Sequence, residues 1–155
     1  MRRSVIAVAL IATLVLVVAM IATASAHRVG RSRPTIHVVE HAATDTVVDV
    51  GASGDSTGDL LTFHNAVFDA TNDHAVGHDQ GECVRINPRN GTWECRWITW
   101  LPGGAITVEG PFFDTHPSTL AITGGTGRFR NARGVMRLGF RADPAEFDFI
   151  FVVGS

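Results

Sequence analysis

Hydrophobic and polar residues alternate along most of the chain from about residue 35 onward, which predicts β-strands. The pattern is clearest in segment 146–153, because Phe147, Phe149 and Phe151 share one face of an extended chain but would be scattered around a helix. Short runs rich in Gly, Pro, Asn and Asp separate the extended segments and are typical of turns. Eight strands are predicted, over residues 35–41, 59–68, 76–86, 92–101, 105–113, 119–123, 134–141 and 146–153.

No segment has the pattern of an amphipathic helix, so the predicted fold class is all-β. Strands joined by short turns form antiparallel sheets, arranged either as a sandwich or as a closed barrel. Closure removes both exposed sheet edges. An eight-stranded antiparallel barrel has an interior that side chains fill or that holds one small ligand, so this fold raises the question of a cavity.

The first 26 residues have the layout of a secretory signal. Arg2 and Arg3 precede an apolar stretch at 5–22, and Ala24-Ser25-Ala26 forms a cleavage site. We expect cleavage after Ala26 and a secreted, extracytoplasmic protein; the alternative is an uncleaved membrane anchor, because the apolar stretch just reaches the length of a spanning helix. The predicted organisation is a signal peptide at 1–26, an N-terminal strand and flexible linker at 27–57, and the remainder of the barrel at 58–155.

Charge argues against nucleic acid as a partner. The formal net charge is −2, and loss of Arg2 and Arg3 with the signal would change it to −4. The exported domain is therefore mildly acidic, and it has no run of basic residues that would bind a phosphate backbone. We expect no contact with nucleic acid, and none with a membrane after cleavage.

The stretch LAITGGTGRFRNARG, at 120–134, resembles the glycine-rich turn of dinucleotide-binding proteins. That turn needs a third glycine, where this chain has Arg130, and a following helix whose N-terminus faces the pyrophosphate. The residues after Gly134 instead alternate with a period of two, which predicts a strand. We therefore expect a tight connection between two strands, with glycines at positive φ or close to neighbouring backbone, and no cofactor.

His37, Glu40 and His41 form the H-x-x-E-H string of one class of metalloprotease. That site requires a helix, whereas a strand would place the two histidines roughly 13 Å apart, too far to share a zinc ion. We expect no metal here. The same alternation places Glu40 on the opposite face with Ile36 and Val38, as an acid on an otherwise apolar surface.

The two cysteines of the chain, Cys83 and Cys95, flank a turn at 87–91. A hairpin that is symmetric about Arg89 places them directly opposite each other, where a cross-strand disulfide is feasible. Oxidation is the default in an exported protein. The alternative is a pair of unbonded, buried thiols.

Several segments resemble a known family in the right order. GDLLTFHNAVFD, VGHDQGECVRI, ITVEGPFF and LAITGGTGRF are similar to successive segments of allene oxide cyclases, and GGTGRFRNARG is similar to the dirigent version. The chain thus resembles the allene oxide cyclase and dirigent superfamily. The resemblance implies an eight-stranded antiparallel barrel, commonly a homotrimer, with an apolar cavity that shields a reactive intermediate while it cyclises.

The resemblance also implies site residues. Glu40 aligns with a glutamate that polarises the substrate at the cavity bottom, and Asn65 aligns with an asparagine that helps to hold an ordered water. These two are the candidate catalytic residues, and Cys83 aligns with a cysteine of the cavity wall. The cyclases have a further asparagine where this chain has Ala42, and the tyrosines used by dirigent proteins have no counterpart because the chain contains no tyrosine.

If Asn65 and Cys83 point inward, alternation and cross-strand pairing place further side chains around the same cavity. The candidate ligand-binding residues are Phe63, Arg85, Trp93 and Trp97. An aromatic cavity with a few polar groups suits a small apolar molecule. Burial would raise the pKa of Glu40 and suit it to general acid catalysis, whereas the structural alternative is a simple contact with Arg85 or a water.

Three classes of function are consistent with these residues. The first is an exported cyclase or isomerase, the second a carrier that binds an apolar compound unchanged, and the third a structural barrel with a filled interior. The sequence leaves open whether the protein is an enzyme. An open void beside Glu40 would favour the first two classes.

Overall fold

The computed structural model describes residues 34–154, so the predicted signal peptide and its cleavage site lie outside the described residues. Within this range the chain forms nine strands and a single turn of 3₁₀ helix, and no helix is long and apolar enough to cross a membrane. The strands are β1 (Thr35–His41), β2 (Thr46–Val48), β3 (Leu60–Phe68), β4 (Ala75–Asn87), β5 (Thr92–Leu101), β6 (Gly104–Phe113), β7 (Ser118–Gly125), β8 (Arg133–Phe140) and β9 (Glu146–Gly154).

The strands form one antiparallel barrel. From β3 to β9 each strand pairs with the next along the chain, β9 pairs with β1, and β1 pairs with β3 to close the sheet. The predicted all-β barrel is confirmed. All eight predicted strands are present, and their ends lie within two residues of the prediction. The short strand β2 was not predicted.

β1 and β2 together occupy a single strand position of the barrel. β1 pairs with the second half of β3, with His41 opposite Ala66, and β2 pairs with the first half, with Thr46 opposite Thr62. Four residues separate His41 from Thr46, whereas three separate their partners. The first strand position therefore carries one extra residue, as in a β-bulge, and this interrupts the alternation that would have predicted β2.

Inward-facing side chains pack the barrel interior. Phe149 and Phe151 are among the largest fully buried side chains, and Phe147 packs against the same core, as the alternation of β9 predicted. Full burial of an aromatic or aliphatic side chain of this size stabilises the fold by about 1.5–3 kcal/mol.

The glycine-rich segment forms the predicted tight connection, here between β7 and β8. It contains the 3₁₀ turn Gly127–Phe129, with Gly127 at a φ of 56°, and the chain continues into a strand rather than a helix. A Cβ atom on Gly127 would collide with the backbone carbonyl oxygen of Gly103. These glycines therefore allow a positive φ and a close approach of two backbones.

Candidate functional site

Three polar side chains from three strands meet inside the barrel. Glu40 of β1, Asn65 of β3 and Asp79 of β4 are 6%, 1% and 0% exposed, respectively. The Asn65 side-chain amide donates hydrogen bonds of 2.8 Å to Glu40 Oε1 and 2.8 Å to Asp45 Oδ1. We call Glu40, Asp45 and Asp79 the acid cluster.

Asn65 holds the bulge that separates β1 from β2. Its Oδ1 accepts hydrogen bonds from the backbone N–H groups of Ala43 and Thr44, at 3.1 and 3.0 Å, and from the Thr44 hydroxyl at 3.0 Å. Its amide group meanwhile binds two carboxylates, so its donors and its acceptor are all engaged. Asn65 therefore fixes the backbone at 42–45 and orients Glu40 and Asp45.

Asp79 is the member of the cluster that the sequence analysis missed. It lies directly across from Asn65 on one side and from Thr99 of β5 on the other. Its carboxyl group interacts with the Glu40 side chain and the Asn65 backbone, although neither contact has full hydrogen-bond geometry, and the buried Thr99 hydroxyl has no partner among the described residues. Asp79 shares the inward face of β4 with Cys83, but its nearest neighbours on that face are Gly77 and Gly81, so it does not stand out as an acid on an apolar face in the way that Glu40 does.

Burial changes the titration of both buried acids. It raises the pKa of Glu40 from its ordinary value of 4.5 to about 7; the hydrogen bond from Asn65 opposes this and the charge of Asp45 adds to it. Burial, followed by the charge of Glu40, raises the pKa of Asp79 from 3.8 to about 9. At neutral pH Asp79 is therefore protonated and Glu40 is close to its midpoint, so the pair contains both a proton donor and an acceptor.

A cavity opens beside the acid cluster. The space that the centre of a water-sized sphere can reach in it is about 40 Å³, and the cavity is partly open to solvent. Apart from Glu40 and Asp45, its lining is apolar: Leu61, Phe63, Cys83, Cys95, Trp97, Phe112, Leu138, Phe147 and Phe149. An apolar, largely aromatic wall with a few convergent polar groups is typical of a small-molecule site.

The predicted disulfide forms part of the cavity wall. Cys83 and Cys95 are directly opposed on β4 and β5, with their Cα atoms 4.0 Å apart, and they are bonded to each other. The prediction is confirmed, and the alternative of two unbonded thiols is wrong. The bond ties the two strands together beside the aromatic side chains.

The candidate ligand-binding residues are divided between two places. Phe63 and Trp97 line the cavity and contact each other edge to face, with ring centroids 5.9 Å apart. Arg85 and Trp93 are also buried but are not part of the cavity lining. The inward direction of these two side chains is as expected; they lie further along the barrel, beyond the disulfide.

Arg85 and Trp93 form a separate, paired cluster. The Arg85 guanidinium lies 4.0 Å from the centroid of the Trp93 ring and donates hydrogen bonds to Asp55 at 2.7 Å and Asp114 at 2.6 Å. Trp93 Nε1 donates a 2.8 Å bond to Asp114 as well. The ionic partners of Arg85 are thus these two aspartates, and the suggested pairing of Arg85 with Glu40 is not found.

The two histidines of the H-x-x-E-H string are partly exposed and have other partners. His37 Nε2 lies 2.8 Å from Asp148 Oδ1, and His41 Nε2 lies 2.7 Å from Asn72 Oδ1. Both stand on strand β1, as expected. Within residues 34–154, no group of three or more His, Cys, Asp or Glu side chains is arranged to hold a metal ion.

The sequence model of the allene oxide cyclase family matches residues 30–153. The chain belongs to the allene oxide cyclase family. This family member is similar in structure to a pyocyanin demethylase, with 26% sequence identity and a TM-score of 0.65; the match covers 76% of this chain and 100% of the other.

Two further solved structures share the fold of this allene oxide cyclase family member. The pterocarpan synthase dirigent protein GePTS1 is 19% identical, with a TM-score of 0.62 and coverage of 78% of this chain and 90% of that one. The exo-specific intermolecular Diels-Alderase AbnU is 12% identical, with a TM-score of 0.63 and coverage of 79% and 98%. At these identities the two matches support the fold alone.

Proposed function

We propose that the protein binds a small, largely apolar compound in the cavity and guides its cyclisation or isomerisation. The observation that carries this proposal is the position of Glu40, a buried acid of raised pKa, in the wall of an aromatic cavity, where it interacts with a second buried acid of raised pKa, Asp79. A purely structural barrel would gain nothing from such a pair, because burial of acids that lack counter-ions is costly. The relatives named as a demethylase, a synthase and a Diels-Alderase are consistent with chemistry on small organic molecules.

The catalytic step needs only one proton. Glu40, protonated about half of the time near pH 7, donates its proton to a heteroatom of the ligand while the electron pair of a ligand π bond forms the new σ bond, and the carboxylate takes the proton back from that heteroatom before the product is released. No net proton is consumed. Asn65 holds the Glu40 carboxyl in place throughout, while Phe63 and Trp97 restrict the ligand to a reactive conformation and exclude water.

Native mass spectrometry of the protein purified from its own export compartment tests this function. We expect a bound small molecule, and incubation of that compound or its precursor with the protein should give an isomer of equal mass that chromatography separates. Glu40→Gln keeps the shape of the side chain but cannot donate a carboxylic proton, so it should retain binding and lose conversion. The matched control is Glu82→Gln, which removes an exposed acid from the outer face of β4.

A compound that is bound unchanged, and held equally by the wild type and the Glu40→Gln variant, would support a carrier and contradict the catalytic role. Absence of any bound compound, together with failure to take up small aromatic molecules, would contradict both functions and leave the structural barrel.

We also propose that the mature protein is secreted and forms a homotrimer. The disulfide and the N-terminal signal pattern support export. An exposed apolar row supports assembly: Val48, Leu60 and Val84 are paired across β2, β3 and β4 and are 47%, 36% and 37% exposed. N-terminal sequencing of the exported protein should begin at His27, and light scattering should give three times the monomer mass. Leu60→Glu should convert the trimer to monomers.

A further inference from the structure

We propose that the barrel has a second ligand site, away from the acid cluster, which binds a small organic anion with an apolar body, such as an aryl sulfonate or carboxylate. The site is a pocket between the start of β1, the end of β9 and the glycine-rich connection at 127–132. We call it the arginine pocket. This proposal does not depend on the function of the first cavity.

Distance along the strands separates the arginine pocket from the acid cluster. Ile36, which lines the pocket, lies four residues before Glu40 on β1, or about 13 Å by strand rise. Val153, also in the lining, lies six residues beyond Phe147 on β9, or about 20 Å. The linings of the two spaces share no residue of the described chain. The arginine pocket is therefore a separate concave surface.

The arginine pocket is wide and has an apolar floor. The space that the centre of a water-sized sphere can reach in it is about 790 Å³, part of it open to solvent. Phe129 and Ala132 are 8% and 4% exposed, and Ile36 and Val153 pack against the same core. An apolar ligand body that covers such a floor removes apolar surface from water, which favours binding.

The charge around this pocket is positive in a protein that is acidic as a whole. Segment 115–142 contains five arginines and no Asp or Glu, whereas the whole chain has a net charge of −2. Arg141, near the end of the segment, is paired with two acids of β9. Within the described chain, the ion pairs of arginine involve neither Arg128 nor Arg130, which both line the pocket. Their charges are therefore available to an anion.

Arg128 is held in place without a carboxylate partner. Its guanidinium lies 4.6 Å from the centroid of the Phe129 ring, and its backbone N–H donates a 2.8 Å bond to the Gly103 carbonyl. The Arg128 side chain also packs against Gly103, where an added Cβ atom would lie 2.9 Å from Arg128 Cδ. An ordered side chain loses less entropy on binding, and the planar donors of arginine match the oxygens of a carboxylate or sulfonate.

The same charges argue against two other occupants. The seven residues before Pro34 include Arg28, Arg31 and Arg33 and no acid, so like charge would oppose docking of the protein's own N-terminal segment. A dinucleotide would need a helix N-terminus for its pyrophosphate, whereas the connection continues into strand β8. A small anion with an apolar body matches both the arginines and the floor.

Fluorescence titration with two related dyes tests the proposal on the intact, oxidised protein. 1-Anilinonaphthalene-8-sulfonate and N-phenyl-1-naphthylamine have the same aromatic skeleton, but only the first carries a negative charge. Arg128→Gln and Arg130→Gln should each weaken binding of the sulfonate about tenfold and leave the affinity for the neutral dye unchanged. The matched control is Arg89→Gln, which removes an exposed arginine from the turn between β4 and β5 and should change neither affinity.

Two further measurements locate the bound sulfonate. Its affinity should fall as salt is added, because the arginines are exposed. Amide chemical shifts at 127–132 should change on titration, and Glu40→Gln should leave the sulfonate affinity unchanged because Glu40 lines the other cavity.

Equal affinity of the wild type and both arginine variants for the sulfonate would overturn the proposal, as would shift changes confined to the first cavity. Loss of affinity for both dyes in the variants would also overturn it, because that result would report damage to the apolar floor rather than loss of charge. Sedimentation with phosphatidylglycerol vesicles, without binding of the soluble sulfonate, would assign the arginines to a membrane surface and contradict a small-molecule site. All of these results leave the chemistry proposed for Glu40 untouched.

Discussion

Replacement of Asp79 by Asn should change the pH dependence of folding in a direction that the structure specifies. Asp79 is fully buried and its pKa rises from 3.8 to about 9 on folding, chiefly because of burial. Between these two pH values the folded protein binds a proton that the unfolded chain has released. Stability contributed by this group is therefore fully present below about pH 4 and is lost as pH rises toward 9.

The size of the effect follows from the same numbers. When the folded state binds one more proton than the unfolded state, each unit by which pH rises lowers the free energy of unfolding by about 1.4 kcal/mol. Between pH 3.8 and pH 7 this amounts to about 4 kcal/mol, a large part of the 5–15 kcal/mol that is typical of a domain. Asn does not titrate. The free energy of unfolding of the Asp79→Asn variant should therefore exceed that of the wild type by an increasing margin as pH rises, up to that amount. Glu40 titrates in the same direction between 4.5 and about 7, so the variant keeps part of the slope.

Urea unfolding at pH 4.5, 6 and 7.5, with the disulfide intact, measures this difference directly. We expect the Asp79→Asn and wild-type curves to diverge steadily with pH, with the variant more stable at pH 7.5. Glu82→Gln, on the exposed face of the same strand, should follow the wild type. If the free energy of unfolding changed with pH in the same way for all three proteins, Asp79 would ionise in the folded state at no cost in free energy. That result would refute the argument.

Three further changes test the fold. The double variant Cys83→Ser/Cys95→Ser removes a cross-link over a sequence separation of 12 and should lower the free energy of unfolding by about 3 kcal/mol, measured against the oxidised wild type. Gly81→Ala should lower the thermal midpoint sharply, because its Cβ would clash with the adjacent strand β5, whereas Gly124→Ala, which meets nothing within 4 Å, should have little effect. Phe149→Ala should cost about 3–5 kcal/mol in urea unfolding, and a cost below 1 kcal/mol would contradict its role in the core.

Local patterns made much of the fold predictable. A period of two fixes which side chains share a face, and a short turn fixes which residues oppose each other, so the strands and the Cys83–Cys95 bond followed from the sequence. β2 did not follow, because the extra residue at 42–45 breaks the alternation. A bulge of this kind is held by a distant side chain, here Asn65, which no local pattern reveals.

The sequence predicted which side chains of the site point into the barrel, but not where they lie along the barrel axis. Alternation correctly turned Phe63, Trp97, Arg85 and Trp93 toward the interior. It could not show that the first two reach the cavity while the other two pack beyond the disulfide, because height along the barrel axis depends on the stagger between strands. Asp79 was missed because its neighbours along the strand are glycines and polar residues, so the sequence shows no apolar face on which an acid would be conspicuous.

β1 and β2 share one strand position of the barrel and are interrupted at 42–45. This interruption also affects how fast water can reach the barrel interior. Beyond His41 the barrel is held by the Ala42 N–H bond to the Ala145 carbonyl, and β2 has β3 as its strand partner among the described strands. The β1–β2 interruption therefore leaves a gap in the strand pairing near Asp45, next to the buried acids Glu40 and Asp79. We expect the amides of β2 to exchange hydrogen for deuterium far sooner than those of β4 and β5. Protons and ligands could then enter by the parting of a few residues, on a timescale much shorter than that of global unfolding.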